Sequence, residues 1–147
     1  MKHLDAHEKD WLPEDLVIHR SPLLLIDNIL EVTGERCLAS FTVDPTAWYA
    51  EPDGTMPGWF GIELMAQTIS AFSGYSKRVV GESPRIGLML GTRNYECWVP
   101  RFPAGGTLEV ETTLQYLDES GLSAFACQIR HLGQLSARAI LKTYEPL

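Results

Sequence analysis

Between Trp59 and Phe72 the chain carries a run whose only helix breaker is Gly61 and whose apolar residues leave no broad polar face. Trp59, Phe60, Ile62, Leu64, Met65, Ile69 and Phe72 cover most of a helical wheel. A helix apolar nearly all round is buried nearly all round, so the rest of the chain has to wrap it. Glu63, Gln67 and Ser70 interrupt the pattern at i, i+4 and i+7 and line one narrow stripe. A carboxylate in such a helix is costly unless it is paired, protonated or facing a cavity. That stripe is the first candidate for function. Lys77 and Arg78 suit the negative end of the helix dipole, and Gly81 closes the helix.

The remainder reads as strands. Pro22 opens an apolar run that continues into a strand, Thr33-Gly34-Glu35 is a turn, and Arg36 to Val43 alternates and pairs with what precedes it. Residues 45 to 57 form a loop rich in turn formers that delivers the chain to the helix at Gly58. Arg85 to Val99 is a long strand with Gly87 and Gly91 as bulges or close approaches. Three further strands follow around Leu108–Tyr116, Phe125–Ile129 and Leu135–Tyr144, separated by turns at 118–121 and 131–134. The first 15 residues are polar and read as a loosely ordered start with a short helix around Pro13 to Leu16. The expected architecture is α+β: one domain over 1–147, an antiparallel sheet wrapping a single helix.

Composition narrows the function classes. The net charge of -7, with no dense basic run, argues against a nucleic-acid or anionic-membrane partner. No apolar run approaches the ~20 residues of a membrane span, and the first residues do not read as a signal peptide. Cys37, Cys97 and Cys127 are too few and too scattered for a disulfide framework or a zinc site, and read as buried thiols. These points suggest a cytoplasmic protein.

Several segments in order resemble the hotdog-fold 3-hydroxyacyl-ACP dehydratases of fatty-acid synthesis. His19-Arg20-Ser21-Pro22-Leu23-Leu24-Leu25-Ile26-Asp27 resembles the family's opening P-H-R-x-P-x-L-L-I/V-D. Met56-Pro57-Gly58-Trp59-Phe60-Gly61-Ile62-Glu63 resembles the M-P-G start of its central helix, and Met65-Ala66-Gln67 matches further along. Leu90-Gly91 and Arg101 to Leu108 resemble the strand and turn that follow. The resemblance spans residues 16 to 144, and around Gly58 to Gln67 it is strongest to the dehydratase-like proteins of aryl-polyene pigment pathways.

Removing water from a 3-hydroxyacyl thioester requires a base for the C2 proton, an acid for the departing hydroxyl and donors for the thioester oxygen. The resemblance implies that Glu63 is the acid, that Gln67 one turn on orients it, and that the Gly58 amide binds the thioester oxygen. It also implies a substrate carried on acyl carrier protein or coenzyme A, and a dimer in which a histidine and a carboxylate meet across the interface. No nucleotide, flavin or metal motif appears, so no dissociable cofactor is expected; a phosphopantetheine arm would arrive with the substrate.

The departure is the histidine. The family's catalytic histidine lies nine residues before the glycine of M-P-G, and Tyr49 occupies that place. Tyr49 is a candidate proton donor, or an aromatic lid on an acyl pocket. His3 and His7 fall in the polar start and His131 in a turn; His19, in the opening motif, reads as structural. Half a dyad suggests either a heterodimer with a histidine-bearing homologous hotdog subunit or a homodimer working with Glu63. A hotdog thioesterase, or a non-catalytic acyl-binding scaffold subunit, are the alternatives. Arg78, Arg93 and Arg101 could meet an acidic carrier protein or simply be solvated.

Overall fold

The structure is a computed structural model; it describes residues 10–85 and 87–145, and of Arg93 the backbone alone. His3 and His7 lie outside the described residues. A short helix α1 (Pro13–Leu16) is followed by strands β1 (Asn28–Val32) and β2 (Arg36–Thr42) and a two-residue strand β3 (Met56–Pro57). A 3-10 turn over Gly58–Phe60 leads directly into α2 (Gly61–Arg78). After it come β4 (Leu88–Cys97), β5 (Arg101–Phe102), β6 (Thr107–Leu117), β7 (Leu122–His131) and β8 (Gln134–Tyr144).

Six strands form one antiparallel sheet in the order β1-β2-β6-β7-β8-β4, and β3 pairs with β5 separately. This is the expected arrangement, with two differences. The run beginning at Pro22 is not a strand; β1 starts only at Asn28, because the amides of Leu25 and Ile26 bond to a side chain on α2 instead of to a ladder. And β4 pairs with β8, the last strand, so it sits at the sheet edge. Gly91 lies at a register shift of β4, as a bulge glycine should.

Period-2 patterning explains why the sheet has an inner face. On β7, Ser123, Phe125, Cys127 and Ile129 alternate inward, and on β8 Ala137, Ala139 and Leu141 do the same. They meet Leu64, Met65, Thr68, Ile69, Ala71, Phe72 and Tyr75 of α2. Phe72 stands edge-on to Phe125 with ring centroids 5.4 Å apart. Each fully buried Leu, Met or Phe contributes about 1.5–3 kcal/mol, so this contact contributes strongly to stability. Gly74 lets α1 dock: a Cβ there would run into the Leu16 backbone.

α2 is not buried all round. Glu63, Ala66, Ser70 and Ser73, at i, i+3, i+7 and i+10, are only partly covered, and this face looks into a cavity. The other polar member of the expected stripe, Gln67, is fully buried.

Candidate active site

A cavity of about 350 Å³ runs along the open side of α2, between the segment at Ile18-His19, the Glu63–Ser73 face of the helix, and the strand ends at Leu88 and Thr143. The small residues Ala66, Ser70 and Ser73 form its floor, which leaves room for a narrow ligand beside the helix. Glu63 stands at one end. Its side chain is 44% exposed, so the carboxylate faces space rather than packed core; this resolves the cost that a fully buried acid would carry.

Gln67 connects this acid to the opening segment. Its Nε2 donates to Glu63 Oε1 at 3.0 Å and to the Leu23 carbonyl at 2.8 Å. Its Oε1 accepts from the amides of Leu25 at 2.8 Å and Ile26 at 3.4 Å. Two donors and two lone pairs are the full capacity of a glutamine amide. The side chain is therefore pinned from both ends, and it holds Glu63 in place while tying residues 23–26 to the helix. Orienting the acid is the role expected of a glutamine here; fastening the opening segment is a second role that the motif does not make legible.

The opening segment brings His19 to the same cavity. His19 Nε2 lies 4.0 Å from Glu63 Oε1, and both residues line the cavity wall. Arg20 turns its guanidinium back onto its own backbone: Nη1 donates to the carbonyls of Val17 (2.6 Å), Ile18 (3.2 Å) and His19 (2.9 Å), and Nη2 to that of Glu14 (3.2 Å). These charge-assisted bonds fix the loop that carries the imidazole. The signal in the sequence is the His19-Arg20 doublet itself, a histidine followed by a residue able to clamp its backbone.

Two expected site residues serve elsewhere. The Gly58 amide donates to the Pro100 carbonyl at 3.0 Å, so it is already engaged and not directed at a thioester oxygen. Glycine is needed there for a different reason: a Cβ would approach the Val99 carbonyl to 2.7 Å and Cys97 Sγ to 3.0 Å. Tyr95 closes the same corner by donating its hydroxyl to the Gly58 carbonyl at 2.6 Å, and burial pushes that hydroxyl strongly up. Tyr49 is 7% exposed and packs against Phe41, Trp48 and Phe60. Its hydroxyl accepts from the Asp44 amide at 2.8 Å, and burial raises its pKa. It is a core aromatic and lines neither wall of the cavity.

The other candidates are also placed. Arg78 Nε donates to the Asp15 carbonyl at 3.0 Å, and Arg101 pairs with Asp53 at 3.5 Å on the surface. Cys37 and Cys127 are buried free thiols and Cys97 is half-buried. Among the described residues no three His, Cys, Asp or Glu side chains group closely enough to hold a metal ion. Nor, among them, is any helix long and apolar enough to cross a membrane.

Comparison with known proteins gives the fold and the family. A structure of the dehydratase heterocomplex ApeI:P from Xenorhabdus doucetiae is 29% identical over 95% of this chain and 93% of its own, with a TM-score of 0.88. More distant structures share the fold. A mutant of the phenylacetic acid degradation protein PaaI from Thermus thermophilus (17% identity, 80% of this chain and 91% of that one, TM-score 0.60) is one. Zebra fish thioesterase superfamily member 2 (14%, 80% and 79%, 0.62) is another. No curated protein sequence matches the chain. The model of the family described as ApeP-like, ApeP dehydratase, matches residues 11–147. With its sheet wrapped on one helix and an acid on that helix's first turn, the chain belongs to the ApeP-like dehydratase family of hotdog proteins.

Proposed function

We propose that the chain is a subunit of a 3-hydroxyacyl thioester dehydratase, in which Glu63 protonates the departing C3 hydroxyl. The observation that carries this reading is the Glu63 carboxyl group lining the cavity, held at 3.0 Å by a fully engaged Gln67. A carboxyl group fixed in this way can, in its protonated form, deliver a proton to a hydroxyl entering along α2. The small-residue floor suits an acyl chain. The substrate is taken to be a 3-hydroxyacyl group on acyl carrier protein or coenzyme A, whose phosphopantetheine arm comes with it. The reaction calls on no dissociable cofactor, and a carrier-protein substrate would place it in the cytoplasm.

The active assembly is a dimer with a homologous hotdog subunit. Two features support a partner. β4 is an edge strand, and Leu88, Met89 and Leu90 on it are 55%, 46% and 57% exposed, an apolar row that an unpaired edge does not carry safely in solution. The relative from Xenorhabdus doucetiae is a heterocomplex, ApeI:P. Since Leu88 and Met89 also line the cavity, a subunit pairing there would supply the cavity's second wall.

The test is co-purification with a second hotdog subunit, then dehydration of 3-hydroxyoctanoyl-ACP by each subunit alone and by the two combined. Water loss by the combined sample, abolished by Glu63→Gln, is the expected result. Release of free thiol in place of water loss would make the protein a thioesterase. Full activity of this chain alone would remove the mixed dimer.

A further inference from the structure

We propose that His19 is the second catalytic group of the site, the base that takes the C2 proton, and that Arg20 is its positioning residue. The inference rests on the dehydratase reading above and supplies the half of the dyad that the family's usual position lacks. Three observations converge on it. His19 Nε2 lies 4.0 Å from Glu63 Oε1, within the same chain. Both side chains line one cavity and both are partly open to it, at 42% and 44% exposure. The two are held from separate sides: Gln67 grips Glu63, and the Arg20 guanidinium fastens the carbonyls of Val17, Ile18 and His19. A histidine serving only to pack a loop would be covered; this one faces the space where a substrate would lie.

The step balances with these two groups alone. His19 Nε2 takes the proton from C2 as the C2–H bond breaks, and that electron pair forms the C2–C3 double bond. The C3–O bond breaks as protonated Glu63 gives its proton to the hydroxyl, which leaves as water. An imidazolium and a carboxylate then stand 4.0 Å apart, and one proton passing from Nε2 to Oε1, directly or through a water, restores the starting forms. A histidine suits this because an imidazole nitrogen can take up a proton and pass it on. The other charged groups near it are on the opening segment and at the strand ends. Arg20 is occupied by backbone carbonyls, and Arg85 and Glu145 belong to the lining at the strand ends. Glu145 there has Lys77 at 4.0 Å.

The test uses the assembly that carries the activity, with 3-hydroxyoctanoyl-ACP as substrate. His19→Gln is expected to lower kcat by about 10²–10⁴-fold with KM changed only a few-fold. The acid limb of the kcat/KM profile should disappear, while the melting temperature and assembly are retained. For His19→Ala, added imidazole should restore part of the turnover. Arg20→Ala should lower kcat less and leave the acid limb in place. If His19→Gln turns over within three-fold of the unsubstituted assembly while Glu63→Gln is inactive, the dehydratase reading stands and His19 is not the base. A loss of turnover with the acid limb unchanged and no response to imidazole also overturns the proposal, leaving His19 a structural residue. Activity retained by both variants would instead remove the dehydratase reading of this cavity.

Discussion

The two long sides of α2 differ in chemistry, and the difference explains where a site could form. On the sheet side, Leu64, Met65 and Phe72 are buried at high density with Phe41, Tyr49, Phe60 and Phe125 around them. On the cavity side, Ala66, Ser70 and Ser73 leave space, and the groups that reach it, Glu63 and His19, can ionise. The family's histidine position falls on the packed side of this divide. Tyr49 there is closed over by aromatics and bonded to the Asp44 amide. A proton-transfer group needs a substrate within hydrogen-bond reach, which the packed side denies and the cavity side allows. Gln67 is the seam between the two, buried like the first yet bonded to the acid of the second.

Substitutions can break this comparison. The largest effect is expected from Glu63→Gln on the open side: turnover down by about 10²–10⁴-fold, with stability changed by less than about 0.5 kcal/mol because the side chain is half-exposed. Unfolding of this variant would mean that Glu63 belongs to the packed side after all. Gln67→Ala, at the seam, should harm both. It strands the Leu25 amide and the Leu23 carbonyl, costing on the order of 3 kcal/mol and lowering Tm by roughly 6–12 °C. Turnover should fall with it; a melting curve like that of the unsubstituted chain would deny the seam.

The packed side has its own signature in pH. Burial pushes the Cys37 and Cys127 thiols up to about 12 from 9.0. Below pH 9 both folded and unfolded chains keep these protons, so the stabilisation is fully present. Between about 9 and 12 only the unfolded chain releases them, so stability falls as pH rises. Thermal melts across that window should show the decline, and the double substitution Cys37→Ala with Cys127→Ala should make it shallower, leaving the part due to the buried Tyr49 and Tyr95 hydroxyls. Tyr49→Phe is expected to have the smallest effect: about 1 kcal/mol of stability from the lost bond to the Asp44 amide, and turnover within three-fold. A large loss of turnover in this variant would return Tyr49 to the site and undo the contrast between the two sides.

Much of this can be read from the chain alone. The central helix, Glu63 and Gln67 on it, the turns at 118–121 and 131–134, and the inward alternation of Phe125, Cys127 and Ile129 all follow from spacing along a few residues. The opening segment does not yield to the same reasoning. Leu23 to Ile26 look like strand, since they are apolar and flanked by turn formers, but their polar backbone groups go to a glutamine 41 to 44 residues away. At Gly58 the need for glycine is legible, but its reason is set by Val99 and Cys97 across the β4–β5 turn.

By itself, the sequence determined the elements: one long apolar helix, strands of alternating burial, and an acid with its glutamine one turn later. Helical and strand periods are local properties, so they survive without coordinates. Only the tertiary structure decided which face of the helix stays open, and that β4 lies against β8 at the sheet edge. It also decided that Tyr49 is closed into the core, and that His19 stands 4.0 Å from Glu63, an acid far along the chain. Those outcomes depend on contacts between distant segments, here made by Gln67 and Arg20, and no periodicity along the chain encodes which buried group will meet which.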